Sequence, residues 1–115
     1  MQTKHGILEG AILTTLWELE NKGMRFNTVK DVFDNIKSQQ RAYTTIKTVM
    51  DRLCTKNILV REKKGKKFFY RTAFTNYEVV VNSLNEISQK YCSGNLSKLF
   101  EILESMQESR QLIGA

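Results

Sequence analysis

Apolar residues recur at helical spacing in five stretches of the chain, and between the third and fourth the period shortens to that of strands. Ile7, Leu8, Ala11, Ile12, Leu16, Trp17 and Leu19 form a broad stripe over Gly6–Lys22. Gly23 is placed to stop this first helix, and Trp17 is expected as a core anchor. Met24–Asn27 reads as a short strand or turn. Thr28-Val-Lys-Asp31 has the spacing of a capping box, with Asp in place of the usual Glu, and opens a second helix. Val29, Val32, Phe33 and Ile36 line its inner side, and the polar cluster Ser38-Gln39-Gln40 makes the turn that ends it.

The third helix is expected over Tyr43–Asn57. Ile46, Val49, Met50, Leu53 and Cys54 share one face, while Thr44, Lys47, Thr48, Asp51, Arg52 and Thr55 occupy the other. Ile58–Val60 then gives a β-favouring run, Lys63–Lys67 a turn around Gly65, and Phe68–Tyr70 a returning run. Alternation sends Phe68 and Tyr70 to one face and Phe69 to the other, so at least one ring belongs to the core rather than to a base-stacking platform. Three short helices followed by a hairpin give the order of a winged helix-turn-helix, in which the third helix reads a major groove.

After Ala73 the character changes. Thr75-Asn-Tyr-Glu78 is a second capping box and opens a helix with Tyr77, Val80, Val81, Leu84, Ile87 and Tyr91 on one side. Cys92-Ser-Gly94-Asn breaks it, and a last helix carries Leu96, Leu99, Phe100, Leu103 and Met106. Each helix is too short to be stable alone, so its stripe needs a partner surface. The three-helix core is already satisfied, which makes a second copy of the chain the expected partner. The fold class is therefore mainly α with a small β-hairpin. A winged-helix DNA-binding domain is expected over residues 1–73 and a helical dimerisation region over 74–115. Its contacts are expected at Tyr77, Val81, Leu84, Ile87, Leu96, Leu99, Phe100 and Leu103.

Charge sharpens this picture. Residues 37–71 hold eleven Lys and Arg against Asp51 and Glu62, whereas the rest of the chain holds seven bases against ten acids. The overall +6 thus hides one basic face on a mildly acidic protein, an asymmetry that points to a polyanion. Double-stranded DNA is the expected partner. Arg41 and the wing residues Lys63, Lys64, Lys66 and Lys67 would supply phosphate contacts, and the Thr44–Thr48 end of the helix sequence choice: Thr44 and Thr45 can offer hydroxyls to bases or phosphates, while Lys47 and Arg52 reach phosphates or pair with guanine. Lysine-rich hairpin tips also keep β edges soluble, which is the plainer account of the same residues. A rival functional reading has the basic wing meet an acidic protein, but a polar, Thr-rich third helix lacks the exposed aromatics and Met of a protein-binding face.

Other chemistry finds little support. At 115 residues and 41% hydrophobic the chain is long enough for a real core, and it contains no 18-residue apolar run. Its first residues lack the basic-then-apolar layout of a secretory signal, and two distant cysteines, Cys54 and Cys92, suit a reducing cytoplasm. His5 is the sole histidine, so neither a metal site nor a nucleophile–base pair can be assembled around it. No cofactor, no metal and no catalysis are expected. Cys54 reads as a filler beneath the third helix.

The segments LTTLWEL (13–19), TVKDVFDNI (28–36), AYTTIKTVMDRLCTKNILVREKKGKKFFYR (42–71) and YCSGNLSKLFEIL (91–103) resemble the penicillinase-repressor family of bacterial regulators, the BlaI/MecI/CopY group. The resemblance covers almost the whole chain, and its YTTIKTVMDRL block is specific. It implies an N-terminal winged helix, a C-terminal helical dimerisation arm and repression through a two-fold symmetric operator. Carried onto this chain, it implies DNA contacts at Tyr43, Thr44, Thr45, Lys47, Thr48 and Arg52, with wing lysines on the backbone. The β-lactam-responsive members of the family imply an upstream sensor or protease that cuts before a phenylalanine in the last helices. Phe100 is the nearest counterpart here, but it follows Leu99 rather than Asn or Ala. The Cys-x-Cys metal hooks of copper-responsive members have no counterpart after Cys92.

Overall fold

The structure, a computed structural model, describes residues 4–37 and 41–112. The turn expected at Ser38–Gln40, the side chain of His5 and the last residues of the chain lie outside the described residues. Seven elements follow in order: α1 Lys4–Asn21, α2 Val29–Asn35, α3 Tyr43–Thr55, β1 Leu59–Lys64, β2 Lys67–Thr72, α4 Asn76–Tyr91 and α5 Leu96–Leu112. They form two compact units, residues 1–76 and 77–115.

In the first unit, local signals set the helix ends. Gly23 sits at φ +97°, Met24 N–H donates to the Leu19 carbonyl and Gly23 N–H to that of Glu20, the paired bonds of a Schellman stop. The same pair recurs after α3, where Ile58 N–H reaches the Leu53 carbonyl and Asn57, at φ +63°, reaches that of Cys54. Asparagine tolerates this left-handed conformation better than most residues. The expected capping box opens α2: Asp31 N–H donates to Thr28 Oγ1 at 3.1 Å, and Thr28 N–H donates to Asp31 Oδ2 at 2.9 Å. This helix ends at Asn35, earlier than the sequence pattern suggests, because Ile36 turns to extended backbone.

The core joins Leu8, Ile12, Leu13 and Leu16 of α1, Val29 and Val32 of α2, Ile46, Val49, Met50 and Leu53 of α3, and Leu59 and Tyr70 of the hairpin. Burying each of these aliphatic side chains contributes about 1.5–3 kcal/mol, so the helical frame rests mainly on this cluster. Three expected core positions differ. Trp17 is only half-buried and packs at the core edge, its indole Nε1–H donating to the Phe74 carbonyl at 3.0 Å. Phe33 and Ile7 are exposed, because α1 and α2 each meet the core along a narrower stripe than their apolar content covers.

The strands β1 and β2 pair antiparallel from Leu59↔Thr72 to Lys64↔Lys67, leaving a two-residue turn at Gly65–Lys66. This turn is tighter than the five-residue turn read from sequence. Gly65 supplies the required left-handed position at φ +64°. Asn27 adds an isolated antiparallel bridge to Tyr70, with bonds of 2.9 and 2.7 Å, so the Met24–Asn27 segment becomes a third, minimal edge. Glu20 clamps the end of β2 to α1, accepting from Thr72 N–H at 2.8 Å and Thr72 Oγ1 at 2.6 Å. Three helices and this hairpin make a winged helix-turn-helix.

The second unit has little interior. Among its described residues only Ser88, Cys92 and Leu99 are buried, while Tyr77, Val80, Ile87, Tyr91, Leu96, Phe100, Ile102, Leu103 and Met106 are exposed. The helices α4 and α5 meet at a turn in which Gly94, at φ +76°, donates its N–H to the Ser88 carbonyl.

Candidate nucleic-acid interface

Helix α3 is fixed from below. Ile46, Val49, Met50 and Leu53 are all fully buried, which sets the rotation of the helix and turns its Thr and Lys residues outward. Its N-cap is Ala42, which offers no side-chain cap, so Thr44 and Thr45 are not spent on capping. The first N–H groups of the helix and its positive dipole end therefore remain available to an anion. Thr44, Thr45 and Thr48 surround a shallow depression floored by Val49. Thr48 Oγ1 donates to the Thr44 carbonyl at 2.9 Å, which leaves that oxygen free to accept and turns Thr48 into a methyl-and-acceptor contact.

The expected contact residues fall into three situations. Thr44, Lys47, Thr48, Lys63, Lys64, Lys66 and Lys67 are exposed. Arg41, Thr45 and Arg52 are half-buried, and the Nε of Arg41 is enclosed. Tyr43 is exposed along one side but rests edge-on against Phe33, with ring centroids 5.7 Å apart and planes at 64°. A cleft of about 330 Å³ runs between the wing and the helices, bringing together Tyr43, Lys47, Lys66, Lys67 and Phe68. It also brings in Lys30, from α2, which no pattern in the sequence marks as a contact. Lys30 bonds Asp34 at 2.7 Å, and that bond first, then the Asp34 charge, raises its pKa.

The wing's aromatics hold cations. The Arg61 guanidinium lies 4.4 Å from the Phe68 ring centroid and Lys63 Nζ 5.6 Å from it, while Lys64 Nζ lies 5.1 Å from the Phe26 ring. Phe68 thus orders two basic side chains, and Tyr70 is wholly buried. Half-buried Phe69 lies on the other side of the strand.

One carboxylate joins α3 to the wing. Asp51 Oδ2 accepts from Lys47 Nζ at 2.8 Å, and its Oδ1 accepts from Arg61 Nη1 at 3.0 Å and from Tyr70 Oη at 2.8 Å. Desolvation pushes the Asp51 pKa up, but the bonds from Lys47 and Tyr70, the Lys47 charge and the Arg61 bond outweigh it, and the net pKa lies below the usual carboxylate value. Burial, reinforced by Asp51, drives the Tyr70 phenol well above its ordinary pKa. Arg61 and Tyr70 are separated from Asp51 by ten and nineteen residues, so periodicity gave no sign of this network. Its only sequence trace is an isolated acid on a basic face. Burial raises the Cys54 thiol's pKa, in keeping with its half-buried place beside the core.

None of the described helices is long and apolar enough to cross a membrane. No curated protein matches the chain. The profile of the penicillinase repressor matches residues 5–112, a span that takes in α3, the wing and both later helices. A polar-faced α3 on a buried frame, a lysine-tipped hairpin beside it and a profile match over nearly all of its length agree, and the chain belongs to the penicillinase-repressor family of transcriptional repressors.

Proposed function

We propose that this chain represses transcription by binding a two-fold symmetric operator as a homodimer. Thr44, Thr45 and Thr48 meet base edges at the N-terminal end of α3, and Lys47 stands beside them. Tyr43, Arg41 and Arg52 flank the reader, and Lys63, Lys64, Lys66 and Lys67 lie along the phosphates. The observation that carries this reading is the cleft shared by Tyr43 and Lys47 of the reader with Lys66 and Lys67 of the wing, which makes one continuous basic surface of two elements.

Dimerisation through α4 and α5 is supported by the small interior of the second unit, where only Ser88, Cys92 and Leu99 are buried among the described residues. Two helices of 16 and 17 residues with mostly exposed apolar side chains gain little from their own unit, and a second copy would cover the stripes. Tyr77, Val81, Leu84, Ile87, Leu96, Phe100 and Leu103 are the proposed contacts. Leu99 is already buried in the single chain and would support them from beneath.

The test is a titration against DNA from upstream of the protein's own coding region and against random DNA of equal length, over a salt series. Binding at least about a thousandfold tighter to the former, with two protomers per site, is the expected result. Equal, weak binding to both DNAs would overturn the proposal and favour an acidic protein as the wing's partner.

A further inference from the structure

From the three bonds that converge on Asp51, we infer that this residue is a positioning and specificity-determining residue of the DNA-binding surface. It ties the wing to the reading helix and holds Lys47 back from indiscriminate phosphate contact. The inference rests on the proposed DNA reading. Asp51 and Glu62 are the only acids among residues 37–71, and Asp51 lies on the reader's outer face, where a bare carboxylate would repel a phosphate backbone. Its charge is instead consumed by three donors from three elements: Lys47 on α3, Arg61 on β1 and Tyr70 on β2.

Each bond has a distinct consequence. Tyr70 is fully buried, so its hydroxyl meets Asp51 from a fixed point and registers β2 against α3. Arg61 is braced on the other side by the Phe68 ring at 4.4 Å, so the same carboxylate also fixes β1 and the wing's angle. Lys47 is one turn away on the reader and bonds Asp51 at 2.8 Å. To reach a phosphate it must give up that bond. Random DNA offers only the phosphate in exchange, whereas a cognate site adds base contacts that offset the loss. A restrained lysine therefore lowers non-specific binding more than specific binding, which widens the ratio between them.

Asp51→Asn tests both parts: Asn keeps the shape but accepts through one oxygen instead of two and carries no charge, so Lys47 is released and the Arg61 and Tyr70 bonds lose their charged acceptor. Binding to random DNA is expected to tighten about threefold to tenfold, with a steeper salt dependence as Lys47 is released. Binding to the cognate promoter is expected to weaken, so the specific-to-random ratio falls. In the DNA-free protein, amide hydrogen exchange over Leu59–Lys64 and Lys67–Thr72 is expected to quicken while α1 stays protected. Lys47→Met, which removes the restrained cation and leaves the wing's ties in place, is expected to leave wing exchange unchanged.

A merely structural Asp51 would lower affinity for both DNAs by one factor and leave the ratio alone; that outcome overturns the inference. Unchanged wing exchange in Asp51→Asn overturns it as well, and that arm needs no DNA. A wild-type protein that fails to distinguish the two DNAs overturns the repressor reading instead, while exchange still decides whether Asp51 ties the wing. Should Asp51→Asn not fold, Tyr70→Phe carries the exchange test, because it cuts the β2 bond and leaves the carboxylate in place.

Discussion

Replacing Tyr70 by Phe removes a single oxygen from the middle of the fold. The ring is fully buried and stays in the core cluster, so packing is preserved and the change isolates the 2.8 Å bond from Oη to Asp51. A hydrogen bond to a charged acceptor contributes about 1.5–3 kcal/mol net. The lower end applies here, because Asp51 is partly open to water and keeps its bonds to Lys47 and Arg61, so no acceptor is stranded. About 1.5 kcal/mol of lost stability corresponds to a fall in Tm of about 6–12 °C for a domain of this size. Urea unfolding at fixed protein concentration gives the direct reading, with the midpoint lowered and the slope unchanged. A loss below about 0.5 kcal/mol would mean that the bond adds nothing beyond what water supplies. A loss near the about 3–5 kcal/mol of ring truncation would mean that the core had repacked. Either result refutes the reasoning.

The same pair of groups sets the pH dependence. Asp51 has a folded pKa below its unfolded one, so its contribution is present above about pH 4 and is lost as pH falls; Asp51→Asn should flatten the acid limb of a stability curve. Tyr70 is held protonated when folded, so its contribution is present below about pH 10 and is lost as pH rises further, and Tyr70→Phe should flatten the alkaline limb. Thr28→Ala removes the cap of a seven-residue helix and should cost about 1 kcal/mol by urea midpoint, with Thr28→Ser restoring most of it. Phe100→Glu puts a charge on the exposed stripe of α5. If the proposed dimer forms on this stripe, sedimentation should then report single protomers, with helical circular dichroism falling in step.

Much of this was legible in the sequence because it depends on neighbours within one turn. The capping box at Thr28, the stop at Gly23 and the buried face of α3 are all set by residues at most a few positions apart. The stripes of α4 and α5 were equally plain, although Ile102 lies exposed outside the α5 stripe and widens its apolar surface. What escaped depends on the hairpin folding back. Asp51 looks like one polar residue of a solvated face until β2 returns Tyr70 to it, and Phe68, which does pack against the core, shows its second role only once β1 sets Arg61 and Lys63 over its ring. Lys30 belongs to a helix whose pattern speaks only of its inner side, yet it borders the cleft. Ile7 and Phe33 mislead in the opposite sense, since an apolar side chain need not be buried.

The proposed function divides labour between α3, which selects sequence, and the wing, which supplies affinity. Lys66→Ala and Thr48→Ala, each titrated against promoter and random DNA across a salt series, test it most directly. Lys66→Ala is expected to weaken both DNAs by the same factor and to lower the salt slope by about 1. Thr48→Ala is expected to leave random DNA nearly unchanged and to cost about 1 kcal/mol, roughly fivefold, on the promoter. Equal losses on both DNAs for both variants would contradict it.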